Sequence, residues 1–96
     1  MRDMRVISNK ALTDFALRHP QVATPLQVWR KIIESRSFEH FAELKKAFNA
    51  VDKAGDFIIF DVGGNKFRIV TLVSFSSQKL YIREVFTHRE YDKWKP

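Results

Sequence analysis

The chain is 96 residues long, 45% hydrophobic and 14% aromatic, with a formal net charge of +6. That is one domain's worth of chain, and its apolar content, including nine Phe, can fill one core, which argues against intrinsic disorder. It has no cysteine, which excludes a disulfide scaffold, thiolate zinc sites and a cysteine nucleophile.

"MRVIS" at 4–8 predicts a short first strand. Asn9 is the expected cap of a helix running to about Arg18, with Leu12, Phe15 and Ala16 on one face. His19-Pro20 ends it, because the residue before a proline is pushed out of the helical region. Pro25 suits the first turn of a second helix, whose apolar stripe is Leu26, Trp29, Ile32 and Ile33. "SRSFEHFAELKKAF" then places Phe38, Phe41, Leu44 and Phe48 at helical spacing, with Ser37 as the expected cap of a third helix.

The period changes at "DFIIFDV", a short apolar run that reads as a buried strand. "GGN" at 63–65 is a hairpin turn, since glycine tolerates the positive φ such turns need. "KFRIVTLVSF", the turn "SSQ" and "KLYIREVF" complete three strands of an antiparallel meander. A short helix over His88–Lys93 closes the chain. Residues 1–96 therefore read as a single α+β domain, its helices packed on one sheet face, with no linker, repeat or low-complexity segment.

The basic excess, a pI near 9.9, suits a polyanion binder as well as a merely soluble domain. It is shared evenly between the two halves of the chain, so a basic face must be assembled by folding. Arg2, Asp3 and Arg5 interrupt any leader-like start, and no apolar run approaches the roughly 20 residues that span a bilayer. The expectation is a soluble cytoplasmic protein with no membrane partner.

Arg68 and Arg83 lie inside strand patterns, where a charge must face solvent or find a partner. A hairpin closed around Ser76-Ser77 sets residue 68 opposite 85 and 70 opposite 83. That register puts Arg68 and Arg83 on one face with Lys79 and Tyr81, though a slip of one residue would separate them. Two readings stand: a pair that grips phosphate, or surface arginines partnered by Glu84 and Asp61. Thr87 and Glu90 form a capping-box pattern, which places His88 in a first helical turn with Tyr91 on the same side. A helix start favours anions, and a histidine beside one can move protons near neutrality. Against this, His88 and Tyr91 could simply pack on the sheet edge. Trp29 reads as core, Trp94 as either core or platform, and Lys45-Lys46 as a solvated face. His19, His40 and His88 lack paired-ligand spacing, so no metal site is expected. There is no phosphate loop before a helix and no nucleophile elbow.

The combination of "VGGNKFR" at 62–68 with "YIREVFTHREYD" at 81–92 resembles the C-terminal half of the HigB toxins, RelE-like messenger-RNA interferases; the similarity extends back to "MRVIS". Family members begin near Met4, so Met1–Asp3 are expected to be an alternative start or an appended remnant. The resemblance implies a RelE-like fold and a ribosome-dependent endoribonuclease that cuts messages by attack of the ribose 2′-hydroxyl on the adjacent phosphate, without metal or cofactor. It implies a HigA-like helix-turn-helix antitoxin as partner, and operator DNA only through that antitoxin. Arg68 matches the family's arginine on the middle strand of the meander, and His88 with Tyr91 its C-terminal cluster. RelE relies on lysines in the preceding strand; "DFIIFDV" offers none, and Lys53 and Lys66 are the nearest. His88 is then the expected proton-transfer group, with Tyr91 competing. Arg68 and Arg83 would stabilise charge on phosphorus, and Lys53, Lys66, Lys79 and Arg89 would bind RNA backbone. The rival reading is a non-catalytic RNA- or antitoxin-binding module on the same fold.

Overall fold

The computed structural model describes residues 2–64 and 66–94. Its elements in chain order are strand β1 (Arg5–Ile7), helix α1 (Asn9–Arg18), a 3-10 turn (Pro20–Val22), helices α2 (Ala23–Glu34) and α3 (Phe41–Ala47), strands β2 (Val51–Ala54), β3 (Phe57–Val62), β4 (Phe67–Ser74) and β5 (Lys79–Thr87), and helix α4 (His88–Lys93). The α+β order expected from the sequence is the order found, with β2 added. The sheet runs β1-β5-β4-β3-β2, with β1 parallel to β5 and the remaining pairs antiparallel. Strand β2 escapes pattern reading because it buries little besides Val51 and exposes Asp52 and Lys53, charged side chains of the kind that protect a sheet edge.

Two helix starts differ from expectation. Ser8, not Asn9, takes the cap position of α1, in a left-handed conformation (φ 77°) and without a side-chain cap bond. A single residue separates β1 from α1, so the chain reverses there by backbone geometry. Helix α3 begins at Phe41 after His40, not after Ser37. The side chain of Gln78 explains this: its Oε1 accepts from the Phe38 N–H at 3.0 Å and its Nε2 donates to the Phe38 carbonyl at 2.6 Å. Those bonds hold residue 38 outside the helical ladder while its ring is fully buried.

The β3–β4 turn has Gly63 and Gly64 at φ 66° and 65°, a region costly for other residues. A Cβ on Gly63 would also come within 3.1 Å of the Phe67 ring. Asn65, the third residue of the expected turn, lies outside the described residues.

Strand pairing assigns the two faces, because residues opposite each other in an antiparallel ladder share a face. Phe60, Ile69 and Val85 form one rung and, with Leu80 and Ile82, meet Leu12, Phe15, Leu26, Trp29 and Leu44 from the first three helices in the main core. Trp29 is thus core, its ring edge-on to Phe60 at 5.3 Å. The opposite face presents Ile59, Asp61, Arg68, Val70 and Phe86. It is not left to solvent: Ile59 and Val70 are 2% and 0% exposed. Helix α4 covers this side, with Trp94 meeting Phe57 at 5.3 Å and Phe86 at 6.1 Å. The helices therefore occupy both faces, three on one and α4 on the other, not one face as expected.

The β4–β5 register also departs from expectation, halfway along. Near the turn, Thr71 pairs Ile82 and Ser74 pairs Lys79, as a hairpin centred on Ser76-Ser77 demands. Beyond Val70 the register shifts: Val70 pairs Glu84 and Arg68 pairs Phe86. Arg83 is the extra residue of this bulge, left without a β4 partner. Residues 68 and 85, and 70 and 83, do not face each other, because one inserted residue moves every later side chain to the other face. Among the described residues no helix is long and apolar enough to cross a membrane.

Candidate active site

Helix α4 follows β5 without a loop, and Thr87 makes the change of direction. It keeps extended dihedrals (φ −69°, ψ 163°) while its Oγ1 accepts from the Glu90 N–H at 3.2 Å. In return the Glu90 carboxylate accepts from the Thr87 N–H at 2.9 Å. The capping box expected from the sequence is thus complete. The His88 N–H is also engaged, donating to the Lys66 carbonyl at 2.8 Å. With those amides occupied in a helix of 6 residues, the helix start does not form the anion site that its sequence suggested.

The backbone bond from Thr87 holds the Glu90 carboxyl below its ordinary pKa, helped by the Thr87 side chain and the charges of Arg18 and His19, against some desolvation. A carboxyl with a lowered folded-state pKa contributes stability above its unfolded value, and that contribution is lost as pH falls through the folded value. Thr87→Ala is therefore expected to cost about 1 kcal/mol near neutrality. The variant keeps the Thr87 N–H that mainly holds Glu90, so parent and variant should both lose the Glu90 contribution in acid and the deficit between them should change little in urea melts down to about pH 3; a deficit that vanishes there would show that the threonine hydroxyl, not the backbone, holds the carboxylate.

Tyr91 and Trp94 form the lid of the site. Their rings stack at 5.9 Å with an interplanar angle of 27°, and Tyr91 lies over the Arg68 guanidinium at 5.5 Å, within cation–π range. Arg68 is only 7% exposed, so it is not the surface arginine of the second reading, although Asp61, one of the two partners that reading named, does pair with it. A buried cation needs a counter-charge. Asp61, opposite Arg68 on β3, supplies it: Oδ1 stands 2.7 Å from Arg68 Nε. The terminal nitrogens reach the Phe67 carbonyl at 3.3 Å and His88 Nδ1 at 2.9 Å.

The last contact fixes more than distance. A guanidinium only donates, so Nδ1 of His88 is the acceptor and the ring proton belongs on Nε2. That nitrogen faces Asp92 Oδ2 at 3.4 Å, one helical turn on. The His88 side chain is 51% exposed, which leaves the Nε2 edge at the surface. Asp61, Arg68, His88 and Asp92 thus form a row running from beneath the lid to solvent.

The other residues singled out in the sequence are dispersed. Lys66 and Arg89 flank His88, one through its backbone and one as its exposed neighbour in α4. Arg83 is exposed at the bulge. Lys79 is at the opposite end of β5, roughly 30 Å from His88 at about 3.3 Å per strand residue. Lys53 pairs with Ile58, which faces the main core, and its Nζ lies 5.6 Å from the Phe41 ring of α3. It therefore belongs to the sheet face away from Arg68. Among the described residues no group of three His, Cys, Asp or Glu side chains is placed to hold a metal ion.

Residues 22–94, from the end of the 3-10 turn through α4, match the family described as HigB_toxin, RelE-like toxic component of a toxin-antitoxin system. The chain belongs to the HigB toxin family. It is 42% identical over 92 residues to the "mRNA interferase toxin HigB" of Escherichia coli strain K12, covering 93% of this chain and 88% of that protein. The same figures hold for the "mRNA interferase HigB" of Shigella flexneri. An "mRNA interferase HigB" of Escherichia coli O6:H1 is 27% identical over 93 residues, covering 94% of this chain and 90% of that one. Membership of this HigB family implies an antitoxin partner, and the mixed α+β architecture is consistent with a RelE-like fold. The matched segment contains every residue of the row from Asp61 to Asp92.

Sequence reading placed Arg68, His88 and Tyr91 in the site and named Asp61 only as a possible surface partner; it missed Asp92. Both carboxylates carried a signal. Asp61 sits across a short Gly-Gly turn from Arg68, and Asp92 is four residues beyond His88 on a helix, the spacing at which side chains meet.

Proposed function

We propose that this HigB-family chain is a messenger-RNA interferase acting on translated messages at the ribosome. The observation that carries the reading is the contact between a buried arginine and a half-exposed histidine beneath an aromatic lid, in a family whose compared members bear the name mRNA interferase. In the proposed reaction the 2′-oxygen of one ribose bonds to the adjacent phosphorus as its proton departs. The bond from phosphorus to the 5′-oxygen then breaks, and that oxygen takes up a proton. Arg68 supplies fixed positive charge where negative charge develops on the phosphoryl oxygens. His88 moves one of the protons through Nε2, and Tyr91 orients the nucleotide by stacking. Lys66 and Arg89, beside His88, hold neighbouring phosphates; Arg83, Lys79 and Lys53 extend the backbone contacts to more distant surface. The partner would be a HigA-like helix-turn-helix antitoxin that also links the toxin to operator DNA, and the setting the cytoplasm.

A second reading is a binding module without catalysis. Its support is that Arg68 already has a carboxylate partner, as a purely structural ion pair would. One experiment separates the two. A defined message is translated on purified ribosomes with the protein, and the new RNA ends are analysed. Fragments ending in 2′,3′-cyclic phosphate, or in the 3′-phosphate from its hydrolysis, are expected. A 3′-hydroxyl end would overturn 2′-hydroxyl attack, and an uncut message would favour the binding module.

A further inference from the structure

We infer that Asp61 is a positioning residue of this site, acting through Arg68 to fix which nitrogen of His88 meets the substrate. The inference rests on the catalytic reading above and deepens it.

Strand pairing sets Asp61 directly beside Arg68, so the carboxylate is delivered by the rigid part of the fold. It engages Nε, the inner nitrogen of the guanidinium, at 2.7 Å. A planar guanidinium anchored at Nε has its rotation about the side-chain axis settled. The terminal groups are thereby aimed, one at the Phe67 carbonyl and the other at His88 Nδ1. Both members of the ion pair are largely withdrawn from water, with side chains 9% and 21% exposed, so the contact is not loosened by solvent as a surface pair would be. Arginine cannot accept a hydrogen bond, and its donation to Nδ1 assigns the ring proton to Nε2, the edge that reaches the surface. Asp61 therefore controls the histidine without touching it. Without the Nε anchor the guanidinium keeps its bond to the Phe67 carbonyl but loses the short contact that settles its rotation, so the donor at His88 Nδ1 is less fixed and the second ring tautomer becomes accessible. Asp92, at 3.4 Å from Nε2, favours the same tautomer from the other side, but it is an exposed partner and the weaker constraint.

The test uses the full chain with nitrogen-15-labelled histidine, and compares Asp61→Ala and Asp61→Asn with the parent. In the parent, His88 should show the nitrogen signals of an Nε2-protonated ring. Asp61→Asn retains an acceptor oxygen for Nε; it should keep that pattern and lose less than about tenfold in single-turnover cleavage on ribosomes, on the scale of a charge-assisted bond made neutral. Asp61→Ala should shift the His88 signals towards a mixture of tautomers. It should also slow cleavage by about 100-fold at saturating ribosomes, the scale of one displaced transition-state donor, with little change in the concentration needed for half-saturation. Placed on Arg68→Ala, it should slow cleavage no further. Unchanged His88 signals in folded Asp61→Ala would overturn the inference, as would a full additive loss on top of Arg68→Ala. If Asp61→Ala does not fold, Asp61→Ser, whose hydroxyl is too short to reach Arg68 Nε, decides by the same signals, and failure of both to fold would make Asp61 purely structural and refute the positioning role. The nitrogen signals need no substrate. A failure of the catalytic reading, with Arg68→Ala cutting at the parental rate, is therefore distinguishable from a failure of the positioning role.

Discussion

Arg68→Ala is expected to slow message cleavage by about 100-fold or more and, unlike a surface substitution, to lower stability as well. The rate effect follows from removing a fixed donor aimed at developing phosphoryl charge; loss of one such donor in acyl-transfer sites costs about 100- to 1,000-fold. The stability effect follows from burial. Arg68 is 7% exposed and pairs with Asp61 at 2.7 Å, so deleting it leaves a carboxylate without its counter-charge. Breaking a fully buried pair costs roughly 3–5 kcal/mol; Asp61 retains some contact with water, so about 2 kcal/mol is the expected scale. Arg68→Lys separates the two roles. A lysine restores a cation near Asp61, but its compact ammonium cannot hold the carboxylate, the Phe67 carbonyl and His88 Nδ1 in one plane. It should recover much of the stability and little of the rate. The measurements are urea melts and single-turnover cleavage on ribosomes. A soluble Arg68→Ala variant that cuts at the parental rate would remove Arg68 from the chemistry, and a lysine variant with full activity would show that charge alone suffices.

That Arg68 is buried was not read from its strand, although the strand held the information. Phe67 and Ile69 point to one face of β4, Val70 to the other, so the run "FRIVTLV" is apolar on both sides. Strands covered on one side alternate, and strands covered on both do not. Phe57, Ile59 and Phe86 repeat the message on the neighbouring strands. The second face needed a cover, and Tyr91 and Trp94 at the end of the chain were the side chains able to provide it. The capping box, by contrast, was legible because Thr87 and Glu90 interact locally; a threonine, a glutamate and the spacing between them suffice. The three core strands and α2 were legible through period. The bulge at Arg83 was missed because no glycine or proline marks it, although the adjacent charges Arg83 and Glu84 break the alternation between Ile82 and Val85. Its effect on the site is large: it cancels the expected Arg68–Arg83 pair and brings Phe86, not Val85, beside Arg68. Local chemistry could thus be read residue by residue, whereas the site's electrostatics depended on a one-residue shift and a helix folded over the second face.

His88→Gln carries the other large expected effect, and the geometry makes it a discriminating substitution. His88 Nδ1 accepts from Arg68 at 2.9 Å while Nε2 presents its proton to the surface and to Asp92. A glutamine can supply an acceptor oxygen to Arg68 and N–H donors to the surface edge, but it cannot take up or release a proton near neutrality. If His88 serves only to anchor Arg68 and donate one hydrogen bond, His88→Gln should cut at close to the parental rate. If His88 transfers a proton, the variant should be slower by about 100-fold, within the range for one general acid or base. The latter is expected. The ring enters the reaction with its proton on Nε2, as set by Arg68; an incoming phosphate then draws the Arg68 terminal nitrogen off Nδ1, so that Nδ1 can take up a proton as Nε2 releases its own. The phosphate offers the Arg68 nitrogen an anionic acceptor in place of a neutral one, and charge-assisted bonds are roughly twice as strong. Tyr91→Phe adds the control: it keeps the ring over Arg68 and the stack on Trp94, so it should slow cleavage far less than Tyr91→Ala, which uncovers Arg68 and loosens α4. Equal losses in the two Tyr91 variants would mean that the hydroxyl, not the ring, does the chemistry, and together with a fully active His88→Gln would transfer the proton-moving role from His88 to Tyr91.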